Sequence, residues 1–311
     1  MERQTLGSHI IDWCRYIGRN GFRTNHGFLI LCGSIILMIY GVILLIFLGD
    51  ITIHGSSSAF INICFLYLGI AGLWKQQGTL TQERVYPDDR IIGYALLLTG
   101  TIGFFLLHSS FSLQALCAML IVMGMLLSHF GLTMIRHHWL FIGFIIVGLY
   151  PNIINLATQT WKFATPHNLL ELLMANLGSQ GLRLLGYESI AQEQFIKLGS
   201  GAVEVAFGCN GFHMSFVLGM AGFIVGQFMQ LSVRKTVLLI ISGVTLALTL
   251  NVPRVMLLAI SSVYWGKQSF EFWHGSIGGQ IFAGILFTIY YYLAMWIIDR
   301  KPNAKASGSI V

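Results

Sequence analysis

Long apolar runs alternate with short polar connections along nearly the whole chain. Eight runs stand out, at residues 28 to 48, 58 to 74, 91 to 108, 113 to 130, 138 to 156, 210 to 232, 236 to 258 and 275 to 298. At about 1.5 Å of rise per residue, helices of this size approach or exceed the roughly 30 Å hydrocarbon core of a bilayer. The pattern predicts an all-α polytopic membrane protein of about eight transmembrane helices. Pro151 and Asn152 interrupt the fifth run, because a proline supplies no backbone donor to continue a helix.

The longest connection, about residues 157 to 205, precedes the sixth run. Within it "NLLELLMANLGSQGLRLLG" carries leucines at helical spacing with polar residues between, which predicts an amphipathic helix lying on the membrane surface or packing on the spans. The following "ESIAQEQFIKLGSGAVEVAFG" is β-branched and broken by glycines, which predicts extended chain leading into Cys209. The organisation expected is a cytoplasmic segment over 1–27, spans over 28–156, the external segment over 157–205, further spans over 206–298 and a cytoplasmic tail over 299–311.

Composition excludes a water-soluble alternative. The chain is 55% hydrophobic and 10% charged, with a mean hydropathy of +0.74, so water cannot solvate most of its surface. The first run, "FLILCGSIILMIYGVILLIFL", has no small-residue cleavage signature after it and reads as a retained anchor. A net charge of +6 raises the question of nucleic acid, yet the basic residues are scattered between apolar runs, so no nucleic-acid partner is expected and membrane lipid is the surrounding partner. With a cytoplasmic N-terminus, thirteen of the eighteen Lys and Arg fall inside; Lys162, Arg183, Lys197, Arg254 and Lys267 fall outside or at the outer face. That bias predicts a multi-pass protein of the plasma membrane with both termini cytoplasmic. The cysteines, at 14, 32, 64, 117 and 209, form no CxxC pair and no metal-spaced cluster with histidine, so neither a disulfide framework, a metal site nor a cofactor is expected.

Three of these runs bring chemistry to one depth. In "VEVAFGCNGFHMSF", Cys209 stands at the mouth of the sixth run. The seventh starts after Arg234 and Lys235 and reaches the opposite face near "NVPRV", where Arg254 lies. The eighth opens with "WHGSIGGQIFAGILF", placing His274 at its start. Singly, an Arg at a span end is more often snorkelling, an interfacial His a satisfied polar group and a boundary Cys inert packing. Together they form an acyl-transfer set. A thiol at the amino end of a helix, near a cation, has a lowered pKa and serves as a nucleophile. His274 would move the proton, and Arg254 would stabilise the oxyanion with help from backbone amides around Gly208, Asn210 and Gly211. Asn251 would orient Arg254 or the substrate. His213, at i+4 from Cys209, competes for the base role but is expected a turn deeper and less open.

The elements "GCNGF", "NVPR" and "HGSIGG", in that order at the boundaries of consecutive spans, resemble the exosortase/archaeosortase family. The resemblance covers residues 160 to 298 by motif and the whole chain by span layout. It implies a cysteine peptidase/transpeptidase acting on exported proteins that end in a short motif, a hydrophobic helix and a basic tail, of the PEP-CTERM kind, with Cys209, Arg254 and His274 as the catalytic set. Cys-Asn-Gly stands where the family commonly has Cys-Ser-Gly, a variant similar to the cyanoexosortase branch. Such a substrate's helix would pack beside the spans, its basic tail would stay inside and its motif would rest at the outer face. The alternatives from other classes are a transporter, which would place ionisable residues at mid-span where most runs here lack them, and an assembly factor, which gives no reason for the three residues to converge.

Overall fold

A computed structural model describes residues 22–53, 57–76 and 85–300. Cys14, Arg3, Arg15, Arg19, Arg84, Lys301 and Lys305, with most of the expected N-terminal segment and C-terminal tail, lie outside the described residues. The chain divides into two compact units, with the boundary after Ile153.

The first unit contains α1 (Asn25–Ile53), α2 (Ser58–Lys75), α3 (Pro87–Leu106), α4 (Phe111–His137) and α5 (Trp139–Leu149). α3 and α4 pack closely because glycines remove the side chains between their backbones: a Cβ on Gly93 would stand 2.7 Å from Ser128, and one on Gly124 would stand 2.7 Å from the Gly93 carbonyl. In lipid, where apolar burial gives little drive to helix pairing, such close approach supplies the association energy. α4 is kinked at Gly131, with φ of 80°. The buried Asp89 carboxylate accepts the Leu132 amide at 3.1 Å, capping the segment beyond the kink. α5 stops where Tyr150 turns extended ahead of Pro151. The carbonyls this frees find donors in the same unit: Tyr40 Oη donates to Leu149 at 2.6 Å, and Asn62 Nδ2 donates to Gly148 and Tyr150.

The second unit holds α6 (from Ile153–Ala164), α7 (Leu169–Leu184), a three-stranded antiparallel sheet, then α8 (Phe212–Phe228), α9 (Val233–Ile260), a π-helical turn (Ser261–Trp265), α10 (Lys267–His274) and α11 (Ser276–Asp299). The expected extended segment is this sheet. β1 (Ser189–Gln192), β2 (Phe195–Leu198) and β3 (Gly201–Glu204) pair in order, Ile190 opposite Lys197 and Ile196 opposite Val203. Alternation fixes its face: Ile196 and Leu198 are fully buried while Phe195 and Lys197 point outward. The leucine-rich stretch is α7, which buries Met174, Ala175 and Leu182 in the core shared with α9.

Every expected span has a helical counterpart. Among the described residues, six helices are long and apolar enough to cross a membrane, seven if α5 and α6 together form one broken span, and α8, at 17 residues, falls just below that length. The chain is therefore an all-α polytopic membrane protein apart from the small sheet.

Candidate active site

Cys209 closes a short 3₁₀ turn, Phe207–Cys209, that joins β3 to α8. It is therefore not in the first turn of the helix; Asn210 and Gly211 come between. Asn210 Oδ1 accepts the amide of Phe212, the first residue of α8, at 2.9 Å. Its Nδ2 donates to Glu171 Oε1 on α7 at 3.0 Å, with Asn210 fully buried and Glu171 nearly so. Gly211 has φ of 85°, and a Cβ there would lie 3.2 Å from the Asn251 side chain. Two physical reasons thus require glycine at this point: the left-handed backbone and the close approach.

Asn251, buried on α9, donates from Nδ2 to the Cys209 carbonyl at 2.7 Å. The Cys209 loop is consequently held from both sides, by Glu171 of α7 through Asn210 and by Asn251 of α9 directly. Arg254 follows Asn251 by three residues on the same helix, so both project to one side. Its Nε is buried and, among the described residues, has no hydrogen-bond partner. A small cleft between α8, α9 and α11, walled by Met214, Leu250, Phe282 and Leu286, receives Arg254 and Asn251. A buried guanidinium nitrogen with an unmet bond is costly to leave so, and it is a donor available to an incoming oxygen.

Electrostatics modifies the expected picture of the thiol. Burial pushes Cys209 above its ordinary pKa, and the Arg254 guanidinium pulls the other way without overcoming it. Burial of this kind favours the thiol over the thiolate. The turn also uses its own amides: Cys209 N–H donates to Ala206 at 2.8 Å and Asn210 N–H to Phe207 at 3.4 Å. Those two donors are thus spent within the loop, whereas Arg254 Nε is not. Gly208 has open space around its Cα.

His274 ends α10, is exposed, and stacks on Phe270 with ring centroids 5.2 Å apart. No hydrogen bond or ion pair joins it to Cys209 or Arg254 among the described residues. Its neighbours Phe270 and Trp273 nevertheless pack on the same core as Cys209. Gly275 and Gly278 let the chain turn tightly from α10 into α11, with Gly278 lying directly on the Trp273 backbone. His213 lies in the first turn of α8, within electrostatic reach of the Arg254 guanidinium.

Glu171 is the residue that sequence reasoning passed over. It was one polar residue among leucines, and only its solitary charge on an otherwise apolar helix start marked it. A second feature it helps to wall is a polar cavity of about 330 Å³ beside Phe207, reached by Lys162, His167, Asn168, Gln194 and Glu204. Asn168, Gln194 and Glu204 are joined by two 2.6 Å hydrogen bonds, and the Lys162 ammonium sits 4.4 Å from the Phe207 ring centre. Among the described residues no three His, Cys, Asp or Glu side chains are placed to share a metal ion.

A family profile described as transmembrane exosortase matches residues 54–291. No curated protein and no solved structure matches the chain.

Proposed function

The chain belongs to the transmembrane exosortase family, and we propose that it is a cysteine peptidase/transpeptidase that cleaves the C-terminal sorting signal of exported proteins, of the PEP-CTERM kind, at the outer membrane face. The observation that carries this reading is the tie between Asn251 and the Cys209 carbonyl with Arg254 Nε unpartnered three residues along. One helix thereby both positions the nucleophile loop and presents a free donor.

In the reaction, a histidine takes the Cys209 proton and the sulfur attacks the carbonyl carbon of the scissile peptide. Arg254 receives the negative charge on the carbonyl oxygen. The C–N bond then breaks, the histidine returns the proton to the leaving amine, and the acyl group remains on sulfur as a thioester. Attack by water or by an acceptor amine or hydroxyl releases the product and restores the thiol. His274 is the base in this proposal. It stands at the end of a helix bounded by Gly266 and Gly275, an element that substrate binding could bring closer, since catalytic hydrogen bonds often form only in the complex. The cavity beside Phe207 would take the polar segment of the substrate next to the cleaved bond.

Co-expression with an exported reporter ending in a motif, a hydrophobic helix and a basic tail tests the proposal. Tail removal by the native protein and none by Cys209→Ala is expected. Equal processing by both would contradict it and favour the transporter or assembly readings.

A further inference from the structure

An elongated groove of about 1030 Å³ runs between α9 and α11, away from the Cys209 loop. Its walls are apolar along most of its length, with Leu238, Ile241, Leu293 and Ile297, and are dotted with the hydroxyls of Ser242, Thr245 and Thr249. Measured along α9 from Arg234 to Thr249 it extends about 22 Å, the depth of one membrane leaflet including its headgroup layer, half of roughly 40–45 Å. One end is strongly basic: Arg234, Lys235 and Arg300 all line it, and among the described residues no Asp or Glu does.

Two of these cations are held in place, but by partners that carry no charge. Lys235 Nζ donates to the Ile298 carbonyl at 2.6 Å, an uncharged acceptor. Arg300 lies over the Trp296 ring with its guanidinium carbon 3.5 Å from the centroid. Among the described residues none of the three has a carboxylate partner. The free amides at the start of α9 add to the positive potential at this end.

We propose that this groove is a binding site for an anionic glycerophospholipid, its phosphate among Arg234, Lys235 and Arg300 and one acyl chain along the apolar trough. Basic pockets between transmembrane helices recognise anionic headgroups in this way, and the depth matches one leaflet. The rival occupant, a hydrophobic helix followed by a basic tail, would bring like charges to the three cations, and that repulsion disfavours it.

Native mass spectrometry of the full chain in mild detergent, after incubation with phosphatidylglycerol or with phosphatidylcholine of the same acyl chains, tests this. One phosphatidylglycerol retained per chain is expected, with at least tenfold less phosphatidylcholine. R234Q/R300Q, which changes two headgroup contacts, and Thr245→Trp, which fills the trough without changing charge, should each lower phosphatidylglycerol retention at least tenfold. Equal retention of the two lipids by the native protein would overturn the proposal, as would retention unchanged in both variants. So would slower reporter cleavage by R234Q/R300Q with lipid retention intact, which would assign the groove to the substrate's helix.

Discussion

The Asn251 side chain donates a 2.7 Å hydrogen bond to the backbone carbonyl of Cys209, across 42 positions of sequence. It ties the loop that carries the Cys209 thiol to the helix that carries Arg254.

Removing that amide should affect activity more than folding. Asn251→Ala leaves the Cys209 carbonyl without its donor, at a cost of about 1–3 kcal/mol for a buried group. The expected outcome is a drop in reporter cleavage of tenfold or more, with the protein still inserted, read by gel shift alongside thermal unfolding in detergent. Undiminished cleavage would show that the tie has no positioning role.

The partner on the other side of the loop is Glu171. Glu171→Gln keeps an oxygen able to accept from Asn210, whereas Glu171→Ala leaves the fully buried Asn210 amide unsatisfied. A hydrogen bond to a charged acceptor is worth about 1.5–3 kcal/mol. Unfolding should therefore rank native, then Gln, then Ala, in falling stability. A Gln variant as unstable as Ala would mean that the charge, not the geometry, holds Asn210.

Gly211→Ala combines a left-handed backbone with a Cβ 3.2 Å from Asn251. The backbone term alone costs about 1–2 kcal/mol, and the contact pushes on the amide that positions Cys209. Loss of both stability and cleavage is expected. Gly208→Ala, in open space, should show neither loss.

The pH dependence of thiol alkylation follows from burial. The thiolate is the reactive form, and burial raises the Cys209 pKa while Arg254 opposes the rise. The rate of modification by a small alkylating agent should therefore climb with pH through a midpoint above that of an ordinary cysteine. In Arg254→Gln the opposing charge is gone and the midpoint should move higher still. A midpoint that falls in Arg254→Gln would contradict the assigned interaction.

The two histidines are separable. His274→Ala is expected to abolish cleavage and His213→Ala to reduce it only modestly. The reverse ranking would transfer the proton role to His213, which feels the Arg254 charge.

Legibility in the sequence followed the physics of each feature. Runs of apolar residues have one solution in lipid, so the eight runs are helical, the fifth divided between α5 and α6, and Pro151 marks the end of α5 because a missing donor is a local fact. The sheet between α7 and α8 was readable only as extended chain, since Ile196 and Leu198 declare alternation but pairing register depends on partners. Cys209, Asn251 and Arg254 were legible as rare polar groups at span boundaries. The bond between Asn251 and Cys209 was not, because it depends on how α9 lies against the loop. The thiol's raised pKa was likewise hidden, since enclosure comes from Met174, Val255 and Leu258, contributed by other helices. Glu171 escaped because a single acid in a leucine-rich stretch looks like a solvated face until the fold buries it.

The most direct test is to find the acyl group on sulfur. Native protein mixed with a sorting-signal peptide, quenched in acid and digested, is predicted to yield the Cys209 peptide carrying the substrate's N-terminal portion. That adduct should be released by hydroxylamine and absent from Cys209→Ala. Cleaved peptide accumulating with no adduct on Cys209, under conditions where hydrolysis of the thioester is slowed, would contradict a covalent cysteine mechanism.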